Sequence, residues 1–249
     1  MLSKFDSIDT AWGRIESLFK SKSQPNEIMV NSAKGNRNER AIKHLRCADP
    51  VMKAMISDVG PCTLRPQRDR FRMLAGSIIS QQISTGAARS IKKKLDELVG
   101  SDGLTPANLS RYSPEELRAA GVSPQKAKYL LDLAVKVHEM EINLQHIGRY
   151  SDDKIIEQLT IVKGIGKWTA QMFLIFALGR PDVFPHDDLG VRSAIRNRYG
   201  LDELPDVETS TAIAAKWRPY ASVASWYCWR SLDIGKASVA NQKVSLGCR

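Results

Sequence analysis

The sequence predicts an all-α fold on three observations. Apolar residues recur at helical spacing in one segment after another, and residues 67–82 and 123–140 are clear examples. Several of these segments follow a helix-start signal, an Asp or Ser directly before Pro, as at Asp49-Pro50. Residues 1–65 show no strand-like alternation of apolar and polar side chains. We therefore expect a nearly all-helical chain.

The composition is typical of a globular protein with a basic surface. The chain has 249 residues, of which 43% are hydrophobic and 26% are charged. The 37 Lys and Arg residues outnumber the 27 Asp and Glu residues, and the formal net charge is +10. This charge favours a polyanionic partner through nonspecific attraction, and a merely basic soluble protein is the alternative.

The cysteines and the apolar runs indicate an intracellular protein. The four cysteines are scattered without a C-x-x-C pair, so we expect neither a zinc site nor a disulfide framework. Residues 1–19 are mixed and polar, without the apolar core of a secretion signal. The longest apolar run, at 172–178, is too short to span a membrane.

The chain is expected to divide near residue 38. Residues 3–20 place apolar side chains on one helical face, and residues 21–38 are polar with Pro and Gly, which is typical of a loop or linker. We therefore expect a first region, 1–38, that packs a short helix on the core. The main helical domain is expected at 39–249.

The helices of the main domain are predicted from apolar spacing and from start signals. Ser84, Ser113 and Ser123 are candidate N-caps, and either Ser151 or Asp152 caps the helix that follows them. The expected helices are 39–48, Pro50 to about Gly60, 67–82, 85–99, 113–120, 123–140, 151–159, 167–178, 188–199, 206–217 and 219–235.

A tight apolar hairpin joins the helices at 151–159 and 167–178. Gly164 and Gly166 allow turns with positive φ and a close approach of the backbone to a partner. The second helix starts here, and its first amides have no acceptor within the helix, so the turn can bind an anion such as phosphate. Lys163 and Lys167 add positive charge. The alternative is an ordinary turn between two helices.

The motifs in this stretch resemble those of a known family. V-x-G-I-G-x-W-T-A is followed by G-R-P-D-V-F-P and then by D-D-L-G-V-R. This order resembles the helix-hairpin-helix, Gly/Pro-rich loop and aspartate signature of the HhH-GPD DNA glycosylases, nearest to the AlkA-type 3-methyladenine DNA glycosylase II branch, over residues 66–235. The resemblance implies two helical subdomains with the active-site cleft between them. The β-rich domain of larger AlkA-type enzymes and the four-cysteine cluster of the iron–sulfur glycosylases are not expected here.

The resemblance identifies Asp188 as the catalytic carboxylate, at the end of the loop 179–188. A carboxylate in a dry site stabilises the positive sugar that forms as the glycosidic bond breaks, and it can orient the attacking water. Asp187 is then expected to cap the next helix or to support its neighbour. From the residues alone, both acids read equally well as helix caps, because Asp after a Pro loop is a good capping signal.

The residue at position 168 bears on the type of reaction. Bifunctional members of the family carry a nucleophilic lysine two residues after the second hairpin glycine, and this chain has Trp168 there. The resemblance therefore implies a monofunctional glycosylase that uses water. Trp168, Trp229, Met172 and Leu189 are expected to line the pocket for the base. An electron-rich indole attracts a cationic alkylated purine by about 0.5–2 kcal/mol.

Other positions are expected to hold the DNA. Gln82 matches the residue that is pushed into the duplex where the base leaves, and capping of the next helix is the alternative. The resemblance also implies a monovalent cation, Na⁺ or K⁺, bound by backbone carbonyls of the hairpin, and no required cofactor. The expected DNA contacts are Gln82, Gly164, Gly166, Lys167 and Thr169, and the matching carbonyls belong to Thr160, Val162 and Ile165.

Three functions compete at this point. The first is a monofunctional DNA glycosylase of base excision repair that flips out alkylated purines and leaves an abasic site. The second is a nonenzymatic helix-hairpin-helix DNA-binding protein, which would have no need of Asp188. The third is a glycosylase for another lesion class or a glycosylase–lyase. The expected partner is damaged double-stranded DNA, the expected state is a monomer, and the expected location is the bacterial cytoplasm or nucleoid, or a eukaryotic nucleus.

Overall fold

The computed structural model describes residues 38–246, with side chains for residues 38–234. Within this range the chain forms twelve α-helices and three short 3-10 helices, and no strand. The predicted all-α class is therefore confirmed. The helix predicted at 3–20 and the loop predicted after it lie outside the described residues, apart from Asn38.

The helices follow the predicted order closely. Three short elements were not predicted: a 3-10 turn at Gly100–Asp102, a one-turn helix at Pro106–Leu109 and a 3-10 turn at Ile147–Arg149. In chain order the α-helices are α1 (Glu39–Ala48), α2 (Pro50–Val59), α3 (Arg70–Ser80), α4 (Thr85–Val99), α5 (Pro106–Leu109), α6 (Pro114–Ala119), α7 (Pro124–His138), α8 (Asp152–Thr160), α9 (Lys167–Phe176), α10 (Leu189–Tyr199), α11 (Val207–Ala214) and α12 (Ala221–Leu246).

The described chain divides into two compact units. Residues 66–179 form one, which we call the hairpin unit because it contains the turn between α8 and α9. Residues 38–65 and 180–246 belong to the other, which we call the aspartate unit because it contains Asp188. The chain passes from the first unit to the second directly after Gly179, which has a positive φ of 65° and lies three residues after the end of α9.

The predicted helix starts are confirmed by side-chain caps. The Asp49 carboxylate accepts hydrogen bonds from the N–H groups of Val51 (2.8 Å) and Met52 (3.3 Å). Ser113 and Glu116 form a complete capping box, in which each side chain bonds the backbone of the other residue. Helices α4, α7 and α8 begin in a similar way. The hydroxyls of Ser84, Ser123 and Ser151 each accept a hydrogen bond from the backbone N–H three residues later.

Helix α9 forms the centre of the hairpin unit. All eight residues from Thr169 to Phe176 are buried, which explains why this segment is apolar on every side rather than on one face. It packs against α8 and α3, and α7 packs against α3, α5 and α6. Phe173 and Phe176 are 0% and 1% exposed. The residues of α9 after its first turn are therefore determined by core packing.

Aromatic residues of α12 form the core of the aspartate unit. Trp226, Tyr227 and Trp229 are all at most 1% exposed, and α12 packs against both α2 and α10. Three of these bulky side chains within one helical turn explain why the helix has no polar face in this part. Burial of this apolar surface stabilises the fold by about 25 cal/mol per Å² removed from water.

A buried polar cluster links the end of α10 to the start of α2. The hydroxyl of Tyr199 donates to Asp49 Oδ2 at 2.5 Å, and the indole N–H of Trp217 lies 3.2 Å from the same hydroxyl. Asp49 is 1% exposed, so these donors compensate for the loss of water around its carboxylate. Burial, together with the bond to Asp49, raises the pKa of Tyr199 far above its usual range. The C-terminal end of α10 is thereby fixed.

The three described cysteines are unpaired thiols. Cys47 is exposed, whereas Cys62 and Cys228 are buried. Burial raises the pKa of Cys62 to about 11, so its reactive thiolate form is scarce near neutral pH. Among the described helices, none is both long and apolar enough to cross a membrane.

The hairpin glycine Gly164 is predicted to be essential for stability. Its φ is +83°, and a Cβ atom there would lie only 2.1 Å from Cδ2 of the Tyr129 ring. Gly164→Ala should therefore lower the free energy of unfolding by about 2–4 kcal/mol, from backbone strain and overpacking together. Urea denaturation followed by circular dichroism measures this change.

Gly166→Ala is the matched control, because Gly166 has a φ of −97° and a Cβ atom added there would meet nothing within 4 Å. Its stability should stay within about 1 kcal/mol of the wild type. Equal losses in the two variants would contradict a specific packing of Tyr129 under Gly164.

Candidate active site and nucleic-acid interface

Asp188 is a buried carboxylate held by two donors. It is 3% exposed and precedes the first residue of α10. Its Oδ1 atom accepts a hydrogen bond from the N–H of Val191 at 2.8 Å, which is a standard N-cap. The same atom accepts a second bond, also 2.8 Å, from the indole N–H of Trp229 on α12. A helix cap has no need of this second donor. The indole N–H fixes the carboxylate in one orientation.

Gly190 makes room for the indole. A Cβ atom at this position would lie 3.0 Å from Asp188 Oδ1 and 3.0 Å from Cδ1 of Trp229. Any larger residue would therefore press on both partners of the hydrogen bond. The glycine of the D-D-L-G-V-R motif is thus explained by close packing and not by a positive φ.

The start of α12 holds the loop that leads to Asp188. The N–H of Ser222 donates to the carbonyl of Pro181 (3.1 Å), and the Ser222 hydroxyl accepts from the N–H of Val183 (3.0 Å). The Asp182 carboxylate accepts from the N–H of Ala221 at 3.2 Å. Ser222 and Trp229 are seven residues apart, which places them on one side of the helix. One face of α12 therefore positions both the loop and the carboxylate.

Asp187 has a different environment from Asp188. The structure shows that Asp188 itself caps α10, so the first alternative for Asp187, the helix cap, is wrong, and the second, support of its neighbour, stays a prediction. Asp187 is exposed, and its carboxylate lies 2.9 Å from Nδ1 of the half-buried His186 ring. The N–H of Asp188 donates to the carbonyl of Pro185, and this turn points the two acids in different directions. Only one of the two is therefore buried.

The four predicted base-pocket residues differ in exposure. In the aspartate unit Trp229 is fully buried, and Leu189 is 51% exposed at the first position of α10. In the hairpin unit Trp168 is half-buried, and Met172 lies one turn later on α9 with 1% exposure. Contact of these side chains with a base stays a prediction. What the structure adds is that the edge of Trp229 contacts the Asp188 carboxylate.

The hairpin has the geometry of an anion-binding turn. The N–H of Ile165 donates to the carbonyl of Val162 at 3.0 Å, and the chain then enters α9 through Gly166, which offers no capping side chain. Lys163 and Lys167 are both exposed beside this helix start. Thr169 is only 5% exposed, and its backbone N–H belongs to the first turn of α9, where the amides have no acceptor within the helix; contact of Thr169 with a phosphate stays a prediction.

Gln82 lies in an exposed turn between α3 and α4. Its φ is +54°, which is uncommon for a residue other than glycine. The N-cap of α4 is Ser84, whose hydroxyl accepts from the N–H of Ala87 at 3.3 Å. Capping of α4 is thus carried out by Ser84, and the side chain of Gln82 projects from the surface of the hairpin unit.

The carbonyls predicted to bind a cation belong to the end of α8 and the hairpin. The Val162 carbonyl already accepts from Ile165, and a carbonyl oxygen has a second lone pair for a cation. Thr160 and Ile165 flank it in the same turn. Among the described residues there is no cluster of three or more His, Cys, Asp or Glu side chains that could hold a metal.

Comparison with known proteins identifies the family. The family model described as HhH-GPD superfamily base excision DNA repair protein matches residues 75–219. The chain belongs to this superfamily. The matched range includes the Gln82 turn, the hairpin and Asp188, so all three lie in the segment that defines the family.

Individual relatives agree with this assignment. An alkylbase DNA glycosidase-like protein of Schizosaccharomyces pombe is 30% identical over 203 residues, which cover 80% of this chain and 95% of the relative. A Bacillus subtilis protein named provisionally as a DNA-3-methyladenine glycosylase is 33% identical over 169 residues, 66% of this chain. The chain spans 59% of the length of that relative.

A solved structure of an S. pombe 3-methyladenine DNA glycosylase in complex with abasic DNA superimposes with a TM-score of 0.69. It is 31% identical, and the match covers 77% of this chain and 95% of the other. The interpretation of this sequence as an HhH-GPD glycosylase of base excision repair is therefore confirmed. DNA is the partner of this structural neighbour, as expected for the family.

The bond between Trp229 and Asp188 generates a prediction about rate. Trp229→Phe keeps an aromatic ring but removes the N–H donor. Base release from methylated duplex DNA should therefore slow by about 10–100-fold, because this factor corresponds to the free energy of one hydrogen bond to a charged group. Single-turnover kinetics with saturating protein measures this rate.

Trp226→Phe is the control, because it removes the same atoms from the same buried face of α12. Its release rate should stay within about 3-fold of the wild type, well below the effect of a lost charged hydrogen bond. A similar slowing in both variants would show that packing of α12, and not the bond to Asp188, determines the rate.

Proposed function

We propose that this protein is a monofunctional DNA glycosylase that flips out alkylated purines of the 3-methyladenine type and hydrolyses their N-glycosidic bond. The observation that carries the proposal is the Asp188 carboxylate. It is buried, oriented by two N–H donors, and placed at the end of the Gly/Pro loop of the family motif. A protein that only binds DNA needs at most the N-cap bond to Val191, and has no use for the second donor, Trp229, that orients the carboxylate.

The chemistry follows from the charge of that group. As the bond from the sugar C1′ to the purine nitrogen breaks, positive charge develops on the sugar ring, and a fixed negative charge nearby lowers the energy of this state. Water adds its oxygen to C1′ and releases one proton, and the base departs with the bonding electron pair. An alkylated purine leaves readily because it carries a positive charge that this electron pair neutralises.

The choice of lesion rests on the relatives and on Trp168. Both curated relatives described above have names that refer to alkylated bases or to 3-methyladenine. The half-buried indole of Trp168 can face a cationic purine and attract it by about 0.5–2 kcal/mol. Met172, Leu189 and Trp229 complete the proposed set of pocket residues. Hydrogen bonding by the Trp229 edge also makes this residue a positioning group for Asp188.

Double-stranded DNA is proposed to bind through the hairpin and the Gln82 turn. The backbone at Gly164, Gly166 and Thr169 offers amide donors to a phosphate, and Lys167 adds charge. A Na⁺ or K⁺ ion on the carbonyls of Thr160, Val162 and Ile165 would bridge the hairpin to the same phosphate. Gln82 would fill the space that the flipped nucleotide leaves. We propose that the protein acts as a monomer inside the cell and needs no other cofactor.

Asp188→Asn tests the catalytic role. Asparagine retains an oxygen for the N–H groups of Val191 and Trp229, so folding and DNA binding should be unchanged within about 3-fold. Base release should fall by about 10²–10³-fold, because the fixed negative charge is lost. Free base released from methylated duplex DNA in a single turnover, or strand cleavage in hot alkali, measures the rate.

Asp187→Asn is the matched control and should release base at the wild-type rate, because this acid is exposed. Excision at the wild-type rate by Asp188→Asn would refute the catalytic assignment. Tight binding without release by the wild type would favour the binding-protein alternative or another lesion class.

The absence of a lysine at position 168 predicts a lack of lyase activity. Borohydride treatment of the wild-type protein with abasic duplex DNA should trap no covalent adduct, and strands should break only after alkali. The exposed Lys167 is one residue, or about 100° of helical rotation, away from the position of the family lysine. A trapped adduct that disappears in Lys167→Met would overturn the monofunctional assignment.

A further inference from the structure

Helix α7 contacts the turn that presents Gln82. The ammonium group of Lys126 donates to the carbonyl of Ile79 at 2.8 Å and to the carbonyl of Gln81 at 2.6 Å. Ile79 lies in the last turn of α3 and Gln81 directly follows the helix. The last C=O groups of a helix receive no hydrogen bond from within it and attract positive charge. Partial burial lowers the pKa of Lys126, as expected for an ammonium group withdrawn from water. The Lys126 ammonium group is therefore partly withdrawn from water where it binds the two carbonyls of this turn.

The turn that Lys126 holds is strained. Gln82 has a φ of +54°, a conformation that costs free energy for any residue with a Cβ and persists only where neighbours enforce it. The residue before it, Gln81, is fixed twice. Its carbonyl binds Lys126, and its side-chain amide donates to the carbonyl of Gly164 in the hairpin at 2.8 Å. The backbone on the N-terminal side of Gln82 thus has little freedom.

The same face of α7 also holds the hairpin. Asp132 accepts a hydrogen bond from the N–H of Lys163 at 2.9 Å, and the ring of Tyr129 lies against Gly164. Lys126, Tyr129 and Asp132 follow one another at intervals of three, which places them along one side of the helix. One helical face therefore fixes the Gln82 turn and the hairpin relative to each other, within a single compact unit.

We propose that Lys126 is a positioning residue that holds Gln82 in the conformation from which its side chain enters the duplex, and that Gln81 links this turn to the phosphate-binding hairpin. The proposal rests on the proposed function, in which Gln82 fills the space of the flipped nucleotide. It assigns a role in base flipping to a lysine that touches neither the flipped base nor the sugar.

The proposal makes a specific statement about substrates. Removing a base from the stack costs a few kcal/mol when it is paired, and less when it is already unpaired. A residue that acts through Gln82 should therefore matter for a paired lesion and matter little for the same lesion without a pairing partner. A residue that merely stabilises the protein should affect both substrates alike.

The first experiment measures insertion directly. A duplex carries a tetrahydrofuran abasic analogue with 2-aminopurine as the opposite base, and entry of Gln82 beside this base changes its fluorescence. The wild type should show the change. Lys126→Met, which keeps the aliphatic stem, should lose it while the Kd for this duplex stays within 3-fold. Gln82→Gly, which removes the inserting side chain itself, should also lose it. Lys126→Arg should restore the signal, and Lys128→Met, which alters an exposed lysine on the same helix, should leave it unchanged.

The second experiment compares single-turnover release of 7-methylguanine, a cationic alkylated purine that keeps its Watson–Crick edge, placed opposite cytosine or opposite the tetrahydrofuran analogue. Lys126→Met should slow release from the paired duplex by 10–100-fold and from the unpaired duplex by less than 3-fold. Equal slowing on both duplexes, or a full fluorescence change with Lys126→Met, would overturn the proposal. If the wild type releases no base from either duplex or from methylated DNA, the proposed function fails, and the fluorescence experiment still decides the role of Lys126.

Thermal unfolding separates these effects from misfolding. The melting temperature of Lys126→Met is compared with that of Lys126→Arg and Lys128→Met at the same protein concentration. If Lys126→Met unfolds below the assay temperature, Lys126→Gln takes its place, because its shorter side chain cannot reach both carbonyls of the turn. Gln81→Leu tests the other link by itself, because it removes the donor to Gly164 and leaves Lys126 bound to the backbone of the turn. Gln81→Leu should show the same preference for the unpaired lesion, and a wild-type ratio of the two rates would overturn the linking role of Gln81.

Discussion

The hydrogen bond from the Trp229 indole to the Asp188 carboxylate is the interaction on which the candidate active site depends. A buried carboxylate is costly unless donors compensate for the lost water, and here one donor comes from the helix that Asp188 caps and the other from α12. Helix α12 also binds the loop through Ser222. The loop, the carboxylate and the start of α10 are therefore all positioned by the same helix. The close packing of Trp229 and the Asp188 carboxylate against Gly190 leaves no room for a larger side chain at that position.

The hairpin unit uses the same physical arrangement for a different purpose. A turn that would be mobile in isolation is fixed by one face of a helix that is distant in sequence. In the hairpin unit that helix is α7, and its Lys126, Tyr129 and Asp132 side chains contact the Gln82 turn or the hairpin. In the aspartate unit it is α12. Precise placement of short loops is what a reaction on a single base requires, since a small displacement of a reacting group lowers the rate steeply.

The helical framework was predictable because its signals are local. Capping residues, proline at the first helical position and apolar spacing act within a few residues of each other, so Asp49, Ser113 and Ser151 begin helices where expected. The ends of helices were less predictable. Helix α9 stops at Phe176, two residues before the predicted end, because the chain must turn at Gly179. Which of Asp187 and Asp188 caps α10 could not be predicted, because either acid satisfies the sequence pattern; in the structure the cap is Asp188, whose N–H bonds the carbonyl of Pro185.

The sequence by itself determined the all-α class through local helix signals, and its resemblance to the HhH-GPD motifs determined the family and Asp188 as the candidate catalytic residue, since these motifs are residue types at fixed short spacing. Only the tertiary structure decided that Trp229 presents its edge to the carboxylate, that Gly190 is required by that contact, and that Lys126 binds the carbonyls of the Gln82 turn. These partners are separated by 41 residues in the first case and by 45 in the bond from Lys126 to Gln81. Contacts across such distances depend on how helices pack, and the packing is a property of the whole core rather than of any one segment.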